Sequence, residues 1–325
     1  MSYAITIHQT GGPEVLTWEQ HAPGMPGIGE VRIIHEAVGL NFIDIYHRTG
    51  LYPLAELPAI IGLEGAGVVD VIGEGVTEFK KGDRVAYAGV PPGAYAEVRC
   101  IPAHRLVPLP DTISTQDAAG MMLQGMTARY LLKGCYPVGP GSTILVHAAA
   151  GGVGSILCQW ANHLGATIIG TVGNEEKATR AQKHGCHHTI LYQQEDFALA
   201  VKEITKGQGV DVVYDSVGQA TFKKSLDCLR PLGTMVSFGQ SSGPVEPIDI
   251  GFLGAKGSLF LTRPSLMHYT ANRDDLLAHA RDLFEVVGSG VVTMQILQKY
   301  ALKDAATAHR DLEARKTTGS SILLP

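Results

Sequence analysis

The stretch HAAAGGVG at 147–154 sets Ala148, Gly151 and Gly154 three residues apart. Small residues at that spacing permit a tight turn, a close approach of backbone amides to a pyrophosphate, and close packing of the helix that follows. The unsatisfied N–H groups and positive dipole end of that helix complete an anion site. The pattern therefore reads as a dinucleotide cradle. The ribose end discriminates between cofactors, because an NAD site carries Asp or Glu at the end of the second strand, about 20 residues on. Here IIGTVG ends on Gly173 with no carboxylate, Lys177 follows one turn into the next helix, and Tyr192 closes the third strand. Glycine leaves room for a phosphate and lysine balances its charge, so the reading is NADPH. Glu175 and Glu176 then read as first-turn acids of a helix capped by Asn174, where the helix dipole favours them.

A cradle of this kind needs a strand before it and a helix after it, and the chain supplies a series of them. From about residue 140, the strand patterns STILVH, ATIIGTV, HHTILY, VDVVYDS and GTMVSFG alternate with the helix patterns GGVGSILCQWANHLG, NEEKATRAQKHG, EDFALAVKEITKG and ATFKKSLDCLRPLG, and GSLFLT closes the set. Apolar strands alternating with helices imply a parallel, doubly wound α/β sheet covered on both faces. Residues 1 to about 110 have another texture: short apolar runs such as VRIIHEAVGL, AGVVDVIGEGV and GDRVAYAG, broken by Gly, Pro and Asp. These read as strands joined by tight turns. After residue 263 come an amphipathic stretch, DDLLAHARDLFEVVGSG, and a strand-like tail, GSSILLP, that returns to the first domain.

Bulk properties narrow the function classes. A chain of 325 residues is long enough for two domains. With 26 basic and 31 acidic residues the net charge is −5, which argues against a nucleic-acid or anionic-membrane surface. No apolar run reaches membrane-helix length, and the N-terminus lacks the basic and apolar regions of a secretory signal. The five cysteines, at 100, 135, 158, 186 and 228, are scattered and odd in number, which reads as reduced thiols of a cytoplasmic protein. Cys186-His187-His188 enters a strand, where neighbours point to opposite faces, a poor arrangement for one metal ion. His147 and Cys158 read as core residues.

Further pieces carry a family resemblance. The pattern Gly62-x-Glu64-x-x-Gly67-x-Val69, then Gly73-x-Gly75-Val76 and Gly82-Asp83-Arg84-Val85, joins with HAAAGGVG, VYDSVG, VSFGQSSG and the terminal GSS. Over essentially its whole length the chain resembles the zinc-independent medium-chain dehydrogenase/reductases, and among them the NADPH:quinone oxidoreductase (zeta-crystallin-like) family. The resemblance implies a Rossmann NADPH-binding domain, expected at 125–263, and a mostly β GroES-like catalytic domain, expected at 1–124 and 264–325. The zinc branch of the superfamily has a cysteine where this chain has Asn41, and a Gly-His-Glu where it has Gly62-Leu63-Glu64. Amide and leucine side chains do not replace thiolate and imidazole on zinc, so no metal is expected. Without a Lewis acid, the acceptor must need little electrophilic help, as quinones and conjugated alkenes do.

The resemblance places Asn41, Asp44, Tyr46, Arg48 and Tyr52 on one segment lining an interdomain cleft, as candidate catalytic residues. Tyr46 and Tyr52 would donate a hydrogen bond or proton to the developing oxyanion, or stack on a flat acceptor. Asp44 stands at the i,i+4 spacing of an ion pair with Arg48. For the cofactor, the matching positions are Asn41 and Thr127; Gly152 and Val153 at the pyrophosphate; Gly173, Asn174, Lys177 and Tyr192 at the adenosine phosphate; Ser216, Val217, Phe238, Gly239 and Ser241 at strand C-termini; and Arg315 or its neighbour Lys316. The spacing Asn41-x-x-Asp44 with Gly50-x-Tyr52 also resembles zinc-free enoyl reductases, in which that tyrosine is the proton donor, and zeta-crystallin relatives also serve as structural NADPH-binding proteins. GSLFLTRPSL leaves an apolar edge strand whose two-fold pairing would make a homodimer, and the family also forms tetramers.

Overall fold

Short apolar runs punctuated by turn residues give the N-terminal third its strands in the computed structural model, which describes residues 2–325. In chain order these are β1 (Ser2–Ile7), β2 (Thr17–His21), β3 (Glu30–Leu40), β4 (Ala59–Ile60), β5 (Glu64–Ile72), β6 (Arg84–Ala88), β7 (Val98–Pro102) and β8 (Val107–Pro108), with helix α1 (Phe42–Thr49) after β3 and α2 (Thr115–Ala119) and α3 (Met122–Tyr130) closing the stretch. The strand period of two shows in β3, where Val31, Ile33, His35 and Ala37 point inward and Ile34 and Glu36 face out.

The alternating region follows as β9 (Thr143–Val146), α4 (Gly152–His163), β10 (Thr167–Val172), α5 (Glu175–Lys183), β11 (His188–Leu191), α6 (Phe197–Ile204), β12 (Val210–Asp215), α7 (Phe222–Leu226), β13 (Leu229–Ser237), α8 (Gly251–Ala255), β14 (Phe260–Thr262) and α9 (Leu266–Tyr269). The chain ends with α10 (Arg273–Gly288), β15 (Ile296–Ala301), α11 (Ala305–Glu313) and β16 (Ser320–Leu324).

Two units result. The first runs up to Met126 and takes back Tyr269–Gly288 and Met294–Pro325. It holds a three-stranded sheet, β2-β1-β4, and a seven-stranded one, β15-β16-β3-β5-β6-β8 with β7 on β3. The tail returns as expected: β16 lies antiparallel to β3, with Ile322 opposite Gly39. Ile5, Val31, Ile33, Val69, Tyr95 and Leu323 are among its core residues.

The second unit, Thr127–His268 with Ser289–Thr293, is built on one six-stranded sheet of order β11-β10-β9-β12-β13-β14, parallel throughout. Renumbered from its first strand this is 3-2-1-4-5-6, the doubly wound dinucleotide order, with its switch point at β9 and β12. All of Ile144, Leu145 and Val146 in the central β9 are buried, as coverage of both faces requires.

One expected helix is mostly absent. ATFKKSLDCLRPLG keeps helical form only over Phe222–Leu226, and Leu229 already pairs with Val210 as β13 begins. Pro231 cannot donate within a helix and would clash with the preceding turn, and Leu232 takes a left-handed φ of 60°. The segment therefore crosses to the sheet through a bulge between Val210 and Val212.

Candidate active site

The cradle forms at the C-terminal end of β9. Ala148 has a φ of 53°, and the amide of Gly151 closes the turn on the Ala148 carbonyl at 2.8 Å. A side chain at Gly154 would place its Cβ 2.3 Å from that carbonyl and 2.9 Å from Ala149 Cα, both backbone atoms. Gly151 caps α4 without any side-chain bond to its first amides. The turn thus leaves the amides of Gly152 and Val153 to an anion and fits a pyrophosphate.

The second strand of this sheet, β10, runs into Gly173 with no acid at its end. Gly173 faces the Tyr192 hydroxyl, 3.4 Å from where a Cβ would stand. The Asn174 side chain accepts from the Lys177 amide at 2.9 Å, so Asn174 is the N-cap and Glu175 and Glu176 are first-turn acids of α5. The Lys177 side chain rises from the same turn. At the switch point, buried Asp215 accepts from the amides of Val217 and Gly218 at 2.7 and 3.1 Å and from Thr221 Oγ1 at 2.9 Å. Phe238 N donates to the Asp215 carbonyl and Ser241 N to that of Ser216. Ser216, Val217, Phe238, Gly239 and Ser241 therefore form one stitched ledge at the ends of β12 and β13. Sequence reasoning missed Asp215 as its organiser; the signal was the Asp inside VYDSVG. Thr127 lies buried on α3. His147 is a core residue, bonded to Thr171 and Ser225 at 2.9 and 2.8 Å.

In the first unit, Asn41 caps α1, and Asp44 Oδ2 accepts its amide at 2.8 Å. The Asn41 side chain is held at both ends: Nδ2 donates to Glu64 Oε2 at 2.7 Å, and Oδ1 accepts from Gln124 Nε2 at 3.1 Å. Ser320 Oγ fixes the far end of Gln124 at 2.6 Å, and the Leu123 amide donates to Glu64 Oε1 at 2.8 Å. A Cβ at Gly39 would fall 2.2 Å from Glu64 Oε2, so glycine makes room for this carboxyl. Burial pushes the Glu64 carboxyl up to about 8 and that of Asp44 up to about 7. Tyr46 packs edge-on against Tyr52 at 5.1 Å between centroids, and against Phe42 at 6.2 Å. The segment thus joins Asn41 to Asp44 and, one turn on, Tyr46 to Tyr52.

Arg48 points elsewhere, and the expected Asp44–Arg48 pair does not form. Its guanidinium, 1% exposed, binds Glu313 at 2.6 and 3.2 Å and His309 Nδ1 at 3.0 Å, while Asp44 turns to Asn41 and to Tyr95 at 3.0 Å. Closing the capping box takes the carboxylate back toward the start of the helix, and Glu313, 265 residues away, replaces it. Arg315 follows α11 with a left-handed φ of 57°, and Lys316 pairs with Asp311 at 3.5 Å.

The residues present do not fit zinc. The Asn41 amide is committed to Glu64 and Gln124, and among the described residues no group of three or more His, Cys, Asp or Glu could hold a metal ion. In Cys186-His187-His188, the first Sγ lies against Cys158 Sγ at 3.4 Å and His187 Nδ1 accepts the Ile168 amide.

A 3-2-1-4-5-6 parallel sheet with a dinucleotide turn, in one chain with a mostly antiparallel unit whose capping asparagine is locked by a buried glutamate, defines a medium-chain dehydrogenase/reductase. Family models agree: residues 27–111 match the alcohol dehydrogenase GroES-like domain and 152–285 the zinc-binding dehydrogenase model. The chain is 50% identical to a quinone oxidoreductase of Pseudomonas aeruginosa over all of both chains. It is 49% identical to a 2-haloacrylate reductase of Burkholderia sp. over 100% of this chain and 99% of the relative. The structure of Escherichia coli quinone oxidoreductase complexed with NADPH superposes with a TM-score of 0.98 at 48% identity, covering 99% and 100% of the two chains. The chain belongs to the quinone oxidoreductase family.

Proposed function

We propose that the protein is a zinc-independent, NADPH-dependent quinone reductase. The observation that carries this reading is Asn41, locked between Glu64 and Gln124 where a metal-binding group would stand, on the segment that also carries the paired rings of Tyr46 and Tyr52. Such a wall of amide and aromatic rings suits a flat acceptor that needs no metal to polarise it. The full-length likeness to quinone oxidoreductases supports it. NADPH, when bound, supplies the hydride. The amides of Gly152 and Val153 hold its pyrophosphate, and Lys177, with Gly173, Asn174 and Tyr192, holds the adenosine phosphate. The ledge of Ser216, Val217, Phe238, Gly239 and Ser241 orients the rest, with Asn41, Thr127 and Arg315. Tyr46 and Tyr52 face the acceptor, and Asp44 and Arg48 hold their helix in place. In this division residues 125–263 serve the cofactor, and 1–124 with 264–325 the acceptor.

A second reading, reduction of activated C=C bonds, is favoured by the likeness to a 2-haloacrylate reductase and by the packing of Tyr52 against Tyr46. A parallel screen of NADPH oxidation over simple quinones, enals and enoyl thioesters separates the two. Quinone turnover unaffected by a chelator is expected, and loss of activity with chelator would overturn the zinc-free reading. Tight NADPH binding with no acceptor reduced would mark a non-enzymatic binding protein instead.

The assembly we propose is a homodimer. β14 is the outer strand of its sheet, and its Phe260 and Leu261 are 62% and 39% exposed, so two-fold pairing of this edge would cover it. Small-angle scattering of a monomer would refute this. We place the enzyme in the cytoplasm, where its five cysteines, none in a disulfide, stay reduced; among the described residues no helix is long and apolar enough to cross a membrane.

A further inference from the structure

Four side chains from three distant parts of the first unit meet in its interior. Arg48 Nη1 lies 3.0 Å from His309 Nδ1, His309 Nε2 lies 3.0 Å from Tyr95 Oη, and Tyr95 Oη lies 3.0 Å from Asp44 Oδ2. Relative exposures are 0% for Asp44, Tyr95 and His309 and 1% for Arg48, so only protein partners set the direction of each bond. A guanidinium has donors alone. His309 Nδ1 must therefore accept, and its one proton sits on Nε2. That N–H donates to the Tyr95 oxygen, which leaves the phenolic proton for Asp44 Oδ2. The chain runs one way, from a cation fastened by Glu313 and the Gly11 carbonyl to a carboxyl that also receives the Asn41 amide. A second proton on His309 would point at Arg48, and burial with the Arg48 charge holds this imidazole down at about 3. A proton on Asp44 Oδ2 would face two donors, so it goes to Oδ1, the oxygen without a hydrogen-bond partner.

We infer that Tyr95 and His309 are positioning residues for the reduction: their one-way chain from Arg48 holds Asp44 Oδ2 on the Asn41 amide and so fixes the first turn of α1, the helix that bears Tyr46. This rests on the proposed function for its link to turnover. The hydrogen-bond directions do not depend on it. The titratable groups that act on Asp44 are Tyr95, Glu64 at the start of β5 and, further off, Tyr87; Arg48 on its own helix and His309 on α11 reach it only through Tyr95.

The test uses the full-length enzyme and Tyr95→Phe, His309→Leu and His309→Gln, the last able to accept from Arg48 and donate to Tyr95. Two readouts are taken: kcat and KM for a simple quinone across pH, and the midpoint of Asp44 from its carboxyl carbon resonance. Loss of a buried donor should lower kcat by about tenfold in Tyr95→Phe and His309→Leu, with KM for NADPH changed less than about twofold. Tyr95→Phe should raise the Asp44 midpoint by about half a pH unit or more, because a donor to the carboxylate is lost, and His309→Leu should raise it by less, because the Tyr95 hydroxyl stays on Asp44 but loses the N–H that polarises it. His309→Gln should recover most of both. An Asp44 midpoint that stays put in all variants, or Gln no better than Leu at 309, overturns the inference. Failure of the native enzyme to reduce any quinone sinks the functional reading, and the carboxyl titration still decides the chain.

Discussion

In the proposed coenzyme site the choice between NADPH and NADH comes down to one amine, that of Lys177. Its backbone N–H is taken by Asn174, and the strand end at Gly173 carries no acid to grip a ribose diol. Lys177→Ala should cost NADPH binding roughly 1.5–3 kcal/mol, the range for a charge-assisted hydrogen bond, and leave NADH nearly unaffected. Fluorescence titration with both coenzymes checks this, and equal losses would put the phosphate elsewhere. Tyr52 divides the two acceptor readings. Tyr52→Phe keeps the ring and removes the proton, so quinone rates should hold, whereas a reductase using it as general acid should lose about a hundredfold on enones. The asparagine cap and first-turn acids of α5 were legible because capping is local. The partner of Arg48 was not. Glu313 lies 265 residues away, and the nearer Asp44 was drawn into its own helix cap.

At the scale of elements, the turn into α4 makes the sharpest demand. The atoms that a Cβ at Gly154 would meet are backbone, at 2.3 Å and 2.9 Å, and cannot rotate aside. Gly154→Ala should destabilise by about 1–3 kcal/mol, as overpacking does, and weaken NADPH binding as the turn opens. Gly139→Ala is the control, since nothing lies within 4 Å of its Cβ position. Melting temperature and coenzyme titration read both; equal behaviour of the two variants would contradict the crowding argument. The alternation of strand and helix was legible from residue 140 on because each buried parallel strand is apolar along its length and each helix has its own period. The start of β13 was hidden because LRPLG lacks a strand's alternation and its pairing with Val210 depends on distant chain. The two-residue strands β4 and β8 were illegible for the same reason: they exist only through their partners.

Across the whole molecule, what the sequence could not foretell is which residues interior packing would strip of water. Cys158 and Cys186, 28 residues apart, touch at 3.4 Å, and two carboxyls and two imidazoles are sealed in the first unit, where burial drives all four toward their neutral forms. That sealing predicts the pH dependence of stability. Asp44 and Glu64 have folded values raised to about 7 and about 8 from 3.8 and 4.5. Their contribution is fully present below the unfolded values and is lost as pH rises through the folded ones. His35 and His309 are lowered from 6.5 to about 3. Theirs is fully present above 6.5 and is lost as pH falls through the folded value. Between about 8 and 6.5 the carboxyls act alone, so stability rises as pH falls, by up to about 1.4 kcal/mol per pH unit for each fully shifted group. Between 6.5 and 4.5 the two pairs oppose and nearly cancel. His21, His47, His147 and His184, also lowered by burial, then tip the balance toward loss. The melting temperature measured from pH 4.5 to 9 should therefore peak near 6.5 and fall on both sides. A steady climb from 6.5 to 9 would mean that Asp44 and Glu64 ionise freely in the folded chain, and with it the sealed Asn41 site would have to open to water.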